Sequence, residues 1–264
     1  MLKTIISAKN NIFFISLLII AKSACAQDLS FLDQTELLDY RIHLGFLNAA
    51  KATVKSSPNV TYLQSMPTRK IEIEGKTIGI LNVFSPVVDY WSANLAIETR
   101  LPLKTEMKKI EGRYKKNETV IFEQNQGLAK IYSPQNNPVN KTIPISKGMM
   151  DIIGGYFFLR DKNLTQMKVG QSLSAKILFD GIIYDILFIV KGFENVDGKF
   201  GTKKCIRTSL VLPKNNMFKD EDAIRLWISQ DKYQIPFKME VNLKIGFLSI
   251  DLENYKIQGK PVYY

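Results

Sequence analysis

The chain has 264 residues, a formal net charge of +11 at neutral pH, two cysteines and one histidine. A single histidine excludes multi-histidine metal centres, and Ser-His or Cys-His catalysis would have to depend on His43. The positive charge suits an anionic partner, but the basic residues are spread as single residues and pairs rather than as a tail. We therefore expect a solvated basic surface and no nucleic-acid binding.

The N-terminus predicts a cleavable signal peptide over residues 1–26. Two lysines precede an apolar run over residues 12–21, which is shorter than the roughly 20 residues of a membrane-spanning helix. Small residues then place the cut before Gln27, so that the mature chain is periplasmic or secreted. The alternative is a lipoprotein acylated at Cys25, which Lys22 disfavours because an apolar residue is usual at that position. No later segment qualifies as a membrane span.

The remaining chain, residues 27–264, is predicted to form a single β-rich domain. Turn signals recur about every dozen residues, and the segments between them alternate apolar with polar positions. The expected fold is a strongly curved antiparallel meander sheet, or half-barrel, with one short amphipathic helix. The first strand places Leu38, Tyr40, Ile42 and Leu44 on one face and ends at Gly45.

One stretch departs from the strand pattern. Apolar residues recur at helical spacing over residues 147–161, and Ser146 precedes them as a candidate N-cap. We predict one amphipathic helix there, with Gly154-Gly155 allowing close packing. Residues 133–144, rich in proline and asparagine, are predicted to be a loop between two halves of the domain.

The strongest turn signal is Asp180-Gly181, which predicts a two-residue type I′ hairpin. That register places Lys176 opposite Asp185, a favourable charge pair across the strands. A second Asp-Gly pair at 197–198 ends the next strand near Val196, and Gly192 is expected to bend this long strand.

Near the C-terminus the alternation of apolar residues changes parity by one residue. A bulge or tight turn at Gly246-Phe247 is required to keep both apolar sets on the core side.

A series of short motifs runs through most of the mature chain, each of them weak alone. They are Glu36–Tyr40, Leu44–Ala49, Val88–Trp91, Leu101-Pro102, Glu111-Gly112, Tyr156–Arg160, Phe179–Tyr184, Leu226–Asp231, Ile235-Pro236 and Ile245-Gly246. Together they resemble the exported bacterial proteins of the domain of unknown function 3108 family, although Thr35 and Ala50 replace its usual glycines. The resemblance implies a YmcC-like half-barrel sheet in the bacterial envelope, and it implies no reaction.

Few residues suggest chemistry. His43 is expected on a polar strand face, Cys205 as a small core residue rather than a reactive thiol, and Asp220-Glu221-Asp222 as a solvated loop rather than a calcium site. After signal-peptide removal Cys205 is the sole cysteine, so no internal disulfide is possible. We predict no catalytic residue, no metal and no cofactor.

The aromatic residues are the main lead toward function, since aromatic side chains line glycan and lipid pockets. The candidate ligand-binding residues are Trp91, Tyr156, Phe157, Phe158 and Trp227. The bland alternative is that the helix fills the concave side of the sheet as ordinary core. We expect a non-enzymatic binding module for an amphipathic lipid or glycan; the alternative is a protein–protein interaction or structural component of the envelope.

Overall fold

The computed structural model describes residues 34–133, 141–211, 222–244 and 246–263. Fifteen strands within these residues form one antiparallel sheet. In chain order they are β1 (Glu36–Leu44), β2 (Leu47–Leu63), β3 (Met66–Thr77), β4 (Val87–Ala96), β5 (Pro102–Glu111), β6 (Tyr114–Glu123), β7 (Leu128–Tyr132), β8 (Lys141–Pro144), β9 (Ser172–Phe179), β10 (Ile182–Gly198), β11 (Gly201–Val211), β12 (Ile224–Ser229), β13 (Pro236–Leu243), β14 (Gly246–Ile257) and β15 (Lys260–Pro261). The α-helices in these residues are α1 (Gly79–Phe84) and α2 (Ile152–Arg160), and a 3₁₀ turn covers Leu164–Gln166.

The sheet consists of two meanders joined side by side. Strands β1 to β8 neighbour one another in chain order, as do β9 to β14, and β1 pairs with β14 to join the two runs. Strands β8 and β9 end the sheet, and β15 pairs only with β14. The predicted fold class, a curved and unclosed antiparallel meander, is confirmed.

The Asp180-Gly181 hairpin has the predicted register. Phe179 pairs with Ile182, and Lys176 pairs with Asp185. The Lys176 Nζ atom lies 2.5 Å from Asp185 Oδ1. Asp180 and Gly181 have φ angles of 51° and 70°, as a type I′ turn requires. The turn residues alone therefore predicted the strand pairing of this hairpin.

Strand β10 bends as predicted but ends later. The register against β11 shifts between Val190 and Gly192, where the bend was expected. The strand continues to Gly198, which pairs with Gly201, so the predicted turn at residues 197–198 is wrong by two residues. Gly201 adopts a φ of 73° and so supplies the left-handed conformation that ends this turn.

The structure places a tight turn where the apolar alternation near the C-terminus changes parity. Strand β13 ends at Leu243, which pairs with Gly246 at the start of β14. Ile245 lies outside the described residues. Gly246, at a φ of 155°, lets the chain reverse and keeps both apolar sets on the same side of the sheet.

The predicted helix is shorter than the sequence indicated. It begins at Ile152, and its N-cap is Asp151 rather than Ser146. The preceding residues are held by the sheet instead, because the Met150 N–H donates to the Lys176 carbonyl and the Leu178 N–H donates to the Met150 carbonyl. Two further corrections concern α1, which was not predicted, and residues 141–144, predicted as loop but forming β8. Residues 134–140 of that loop lie outside the described residues.

Helix α2 packs against the sheet through its buried face. Ile153 and Phe157 lie in one apolar cluster with Ile71, Ala93 and Leu95 of β3 and β4. A Cβ atom at Gly155 would lie only 2.8 Å from Ile177 Cδ1, so this glycine does permit close packing, here against β9. The helix therefore forms part of the core and positions its N-terminal end over the sheet.

Candidate functional site

A small cleft opens beside the N-terminal end of α2. It lies between this helix, strands β4 to β6 and the β9–β10 hairpin, and its cavity volume is about 60 Å³. Its apolar walls come from Trp91, Met107, Val120, Ile152, Ile153, Leu178 and Phe179. A space of this size holds about four to six waters or one small apolar group.

Trp91, which lines this cleft, carries an unused hydrogen-bond donor. Its indole lies partly buried against the cluster of Ile153 and Phe157. The Trp91 Nε1 atom is buried and has no acceptor among the residues that the structure describes. Leaving a buried donor unpaired costs about 1–3 kcal/mol, so an acceptor supplied by a bound molecule would be stabilising.

Carboxylates surround the apolar walls, and several of them form ion pairs with lysines. The Ser92 hydroxyl lies 3.4 Å from Glu106 Oε2, which on its own resembles a nucleophile beside a base. The hydrogen bond from Lys104, whose Nζ is 2.7 Å from Glu106 Oε1, lowers the pKa of Glu106, so this carboxylate is a poor base. Lys116 similarly contacts Glu118 and Asp180 and ties β6 to the hairpin turn.

Asp151 fixes the start of α2 at the cleft wall. Its carboxyl group accepts hydrogen bonds from the Gly154 N–H at 2.8 Å and the Ile153 N–H at 3.3 Å. Burial nevertheless raises the pKa of Asp151 to about 6, against the opposing effect of these two donors. The carboxyl group is therefore sensitive to mildly acidic pH.

We expect the contribution of Asp151 to the stability of the protein to fall as pH rises from about 4 to about 6. In that range the unfolded carboxyl loses its proton while the folded one keeps it, and the difference amounts to roughly 3 kcal/mol. Asp151→Asn should remove this fall, because asparagine caps a helix equally well and does not titrate. Urea unfolding of both proteins across this range measures it. Parallel pH profiles would contradict the assignment.

The structure brings together three of the five predicted site residues. Trp91, Tyr156 and Phe157 share one cluster, with Phe157 fully buried and Trp91 at the cleft. Phe158 is partly exposed, is absent from the cleft lining, and has the Lys162 Nζ 4.6 Å from its ring centre. Trp227 belongs to a different cluster, where its Nε1 donates to Glu194 Oε2 at 2.9 Å.

A buried ion pair is the main feature that sequence reasoning missed. Arg160, at the end of α2, donates to both carboxylate oxygens of Glu36 at 2.5 and 2.9 Å, and each side chain is only 2 % exposed. Tyr255 Oη donates to Glu36 Oε1 at 2.5 Å, and Arg160 also donates to the Tyr233 carbonyl. The only sequence signal was an arginine on an otherwise apolar helix.

The remaining candidates occupy structural positions. Cys205 is fully buried, and burial raises the pKa of its thiol to about 12, so it is a core residue as predicted. His43 lies on a strand with its Nε2 3.6 Å from Asp251 Oδ2. Asp222 contacts Arg225, while residues 220–221 lie outside the described residues. The described residues contain no group of three or more acidic, histidine or cysteine side chains placed to hold a metal.

The helices of the described residues are all too short or too polar to cross a bilayer.

Comparisons with known proteins identify a family without an assigned activity. No curated protein matches the chain. Among solved structures, the chain is similar to the crystal structure of a beta-barrel-like protein of domain of unknown function DUF1849 from Brucella abortus. The TM-score is 0.54 at 8% sequence identity, over 85% of this chain and 98% of that one. This likeness shows the fold alone. Residues 39–253 match the family described as "Protein of unknown function (DUF3108)", and the chain belongs to that family.

Proposed function

We propose that the protein is a non-enzymatic binding module that holds one apolar group of an amphipathic ligand in the cleft beside Trp91. The observation that carries this proposal is an apolar cleft with an unpaired indole N–H among the described residues. Apolar walls with a few polar groups are typical of ligand sites. The unpaired donor suits an oxygen-bearing molecule such as a lipid headgroup or a glycan.

The small volume limits what enters the cleft. Pockets that enclose a drug-sized ligand measure about 300–1,000 Å³, compared with about 60 Å³ here. We infer that most of the ligand stays outside the protein. The same size also suits one anchoring side chain of a protein partner, so an interaction module of the envelope is the second candidate.

The proposed place of action is the periplasm or the exterior of the cell. The signal-like residues 1–26 support this proposal, with a cut before Gln27. Intact-mass measurement of the protein isolated from its own envelope tests it. A diacylglyceryl mass on Cys25 would show a lipoprotein instead.

The cleft can be tested by NMR, because the chain contains only two tryptophans. We expect monomeric octyl glucoside, which combines an alkyl chain with a sugar, to shift the Trp91 indole N–H signal in a saturable way. The Trp227 signal should stay in place, since its N–H is already bonded to Glu194. Octanol and glucose alone show which part of the probe is recognised.

Two variants provide the control. Ile152→Ser removes an exposed part of the cleft wall, so it should weaken octyl glucoside binding by about tenfold and change stability by no more than about 0.5 kcal/mol. Phe158→Ser lies outside the cleft and should leave binding unchanged. Equal shifts of both indole signals, or no saturable shift, would contradict the proposal.

A further inference from the structure

Ten of the strands bring their turns to one end of the sheet, where the β9–β10 turn, the end of β11 and the start of β12 also lie. Because neighbouring strands are antiparallel, β1, β3, β5, β7 and β13 end where β2, β4, β6, β8 and β14 begin. We call the turns of these ten strands the basic rim. Its described residues are 44–51, 76–89, 108–116, 132–133, 141–142, 243–244 and 246–248.

The basic rim carries most of the exposed apolar side chains. Of the nineteen large apolar side chains exposed in the described residues, eleven lie in it: Leu44, Phe46, Leu47, Ile80, Val83, Phe84, Val88, Ile110, Tyr114, Tyr132 and Phe247. Phe46 is 95% exposed and Phe84 is 78% exposed. Apolar groups concentrated at one end mark an interaction surface rather than the scattered exposure of an ordinary monomer.

Helix α1 is part of the basic rim, and its apolar side points outward. None of its residues is buried, so it contributes nothing to the core. Ile80, Val83 and Phe84 follow the i, i+3, i+4 spacing of one helical stripe, and all three are exposed. A short helix that turns its apolar stripe to the outside is suited to insertion into another apolar phase.

The rim carries more basic than acidic side chains. Its exposed charged side chains are all basic: Lys51, Lys76, Lys108, Arg113, Lys115, Lys141 and Lys244. The acidic residues within it, Asp89 and Glu111, are partly buried, and Glu111 Oε1 lies 2.9 Å from Lys109 Nζ. At the same end of the sheet but outside these residues, the exposed Asp180 and Asp185 pair with Lys116 and Lys176, and Glu74 lies two residues further along β3.

We propose that the basic rim docks on the surface of an anionic lipid bilayer. Phe46 and the apolar stripe of α1 would enter the headgroup layer, while the ring of lysines and Arg113 would meet the lipid phosphates. A second copy of the chain would place two basic rims together, and their repulsion disfavours that occupant. This proposal does not depend on the cleft beside Trp91.

Vesicle co-sedimentation of the full chain tests the proposal. We expect stronger binding to vesicles of phosphatidylcholine and phosphatidylglycerol in equal parts than to phosphatidylcholine alone, at about 0.1 M salt, and loss of that difference near 1 M. Phe84→Ser should lower the partition coefficient by at least about fivefold. Removing two charges in Arg113→Gln with Lys115→Gln should lower it by at least about tenfold.

Tyr62→Ser is the matched control. Tyr62 is as exposed as Phe84, at 72%, but lies at the opposite end of β2. It should change partitioning by less than about twofold, and all variants should keep the parental melting temperature since these side chains are exposed. Equal effects of Tyr62→Ser and Phe84→Ser would overturn the proposal. So would a dimer in sedimentation analysis that the rim substitutions dissociate, because a second copy would then cover the rim.

Discussion

Arg160→Met is expected to lower the free energy of unfolding by about 3–5 kcal/mol, because it leaves the Glu36 carboxylate buried without its cation. Urea unfolding of the two proteins at neutral pH measures this loss.

A double-mutant cycle provides the control for this substitution. Glu36→Gln alone leaves Arg160 charged and buried and should also cost several kcal/mol, about 3–5 by the same reasoning. The double variant, Glu36→Gln with Arg160→Met, should be more stable than the sum of the two losses predicts, because neither charge remains. Additive losses would show that the two side chains do not interact.

Phe157→Ala is expected to destabilise the protein by about 3–5 kcal/mol, because Phe157 is 2% exposed and fills the space between α2 and the sheet. Phe158→Ala, one residue later, should cost clearly less, about 2 kcal/mol or below, since Phe158 is only partly buried and its ring lies near Lys162. Thermal and urea unfolding of the two variants form a matched comparison.

This pair of substitutions also tests where the aromatic residues of α2 act. Similar losses for both would mean that Phe158 is core, contrary to the structure. A small loss for Phe157→Ala would mean that α2 is held weakly and that the cleft beside it has no fixed wall.

Local signals predicted the Asp180-Gly181 hairpin well, and the second turn and the helix less well. The Asp180-Gly181 turn determined its own register, because both turn residues and the first facing pairs are adjacent in the chain. The start of α2 was misplaced because Met150 pairs with Lys176 and Leu178, a contact across more than twenty residues. Helical spacing alone does not reveal that residues before Ile152 form hydrogen bonds with a neighbouring strand instead of a helical turn.

The site and the rim depend on contacts that sequence spacing conceals. Glu36 and Arg160 are 124 positions apart, and neither has a neighbour in sequence that signals the other. Likewise, the lysines of the rim occur as single residues and pairs in the sequence. Only the antiparallel arrangement gathers strand ends from the whole chain at one end of the sheet. The aromatic motif of α2 was visible in sequence, but which ring would be core was not.

The pairing of β1 with β14 has a consequence for how the molecule assembles. Glu36 lies opposite Ile257, so the first strand cannot find its outer partner until almost the whole chain is available. The Tyr255–Glu36 hydrogen bond, which joins residues 219 positions apart, must form equally late. Contacts of such long sequence separation slow folding, because the loop entropy is lost before the contact energy is gained. A chain still emerging from a ribosome therefore keeps the outer edge of β1 open until its last strands arrive.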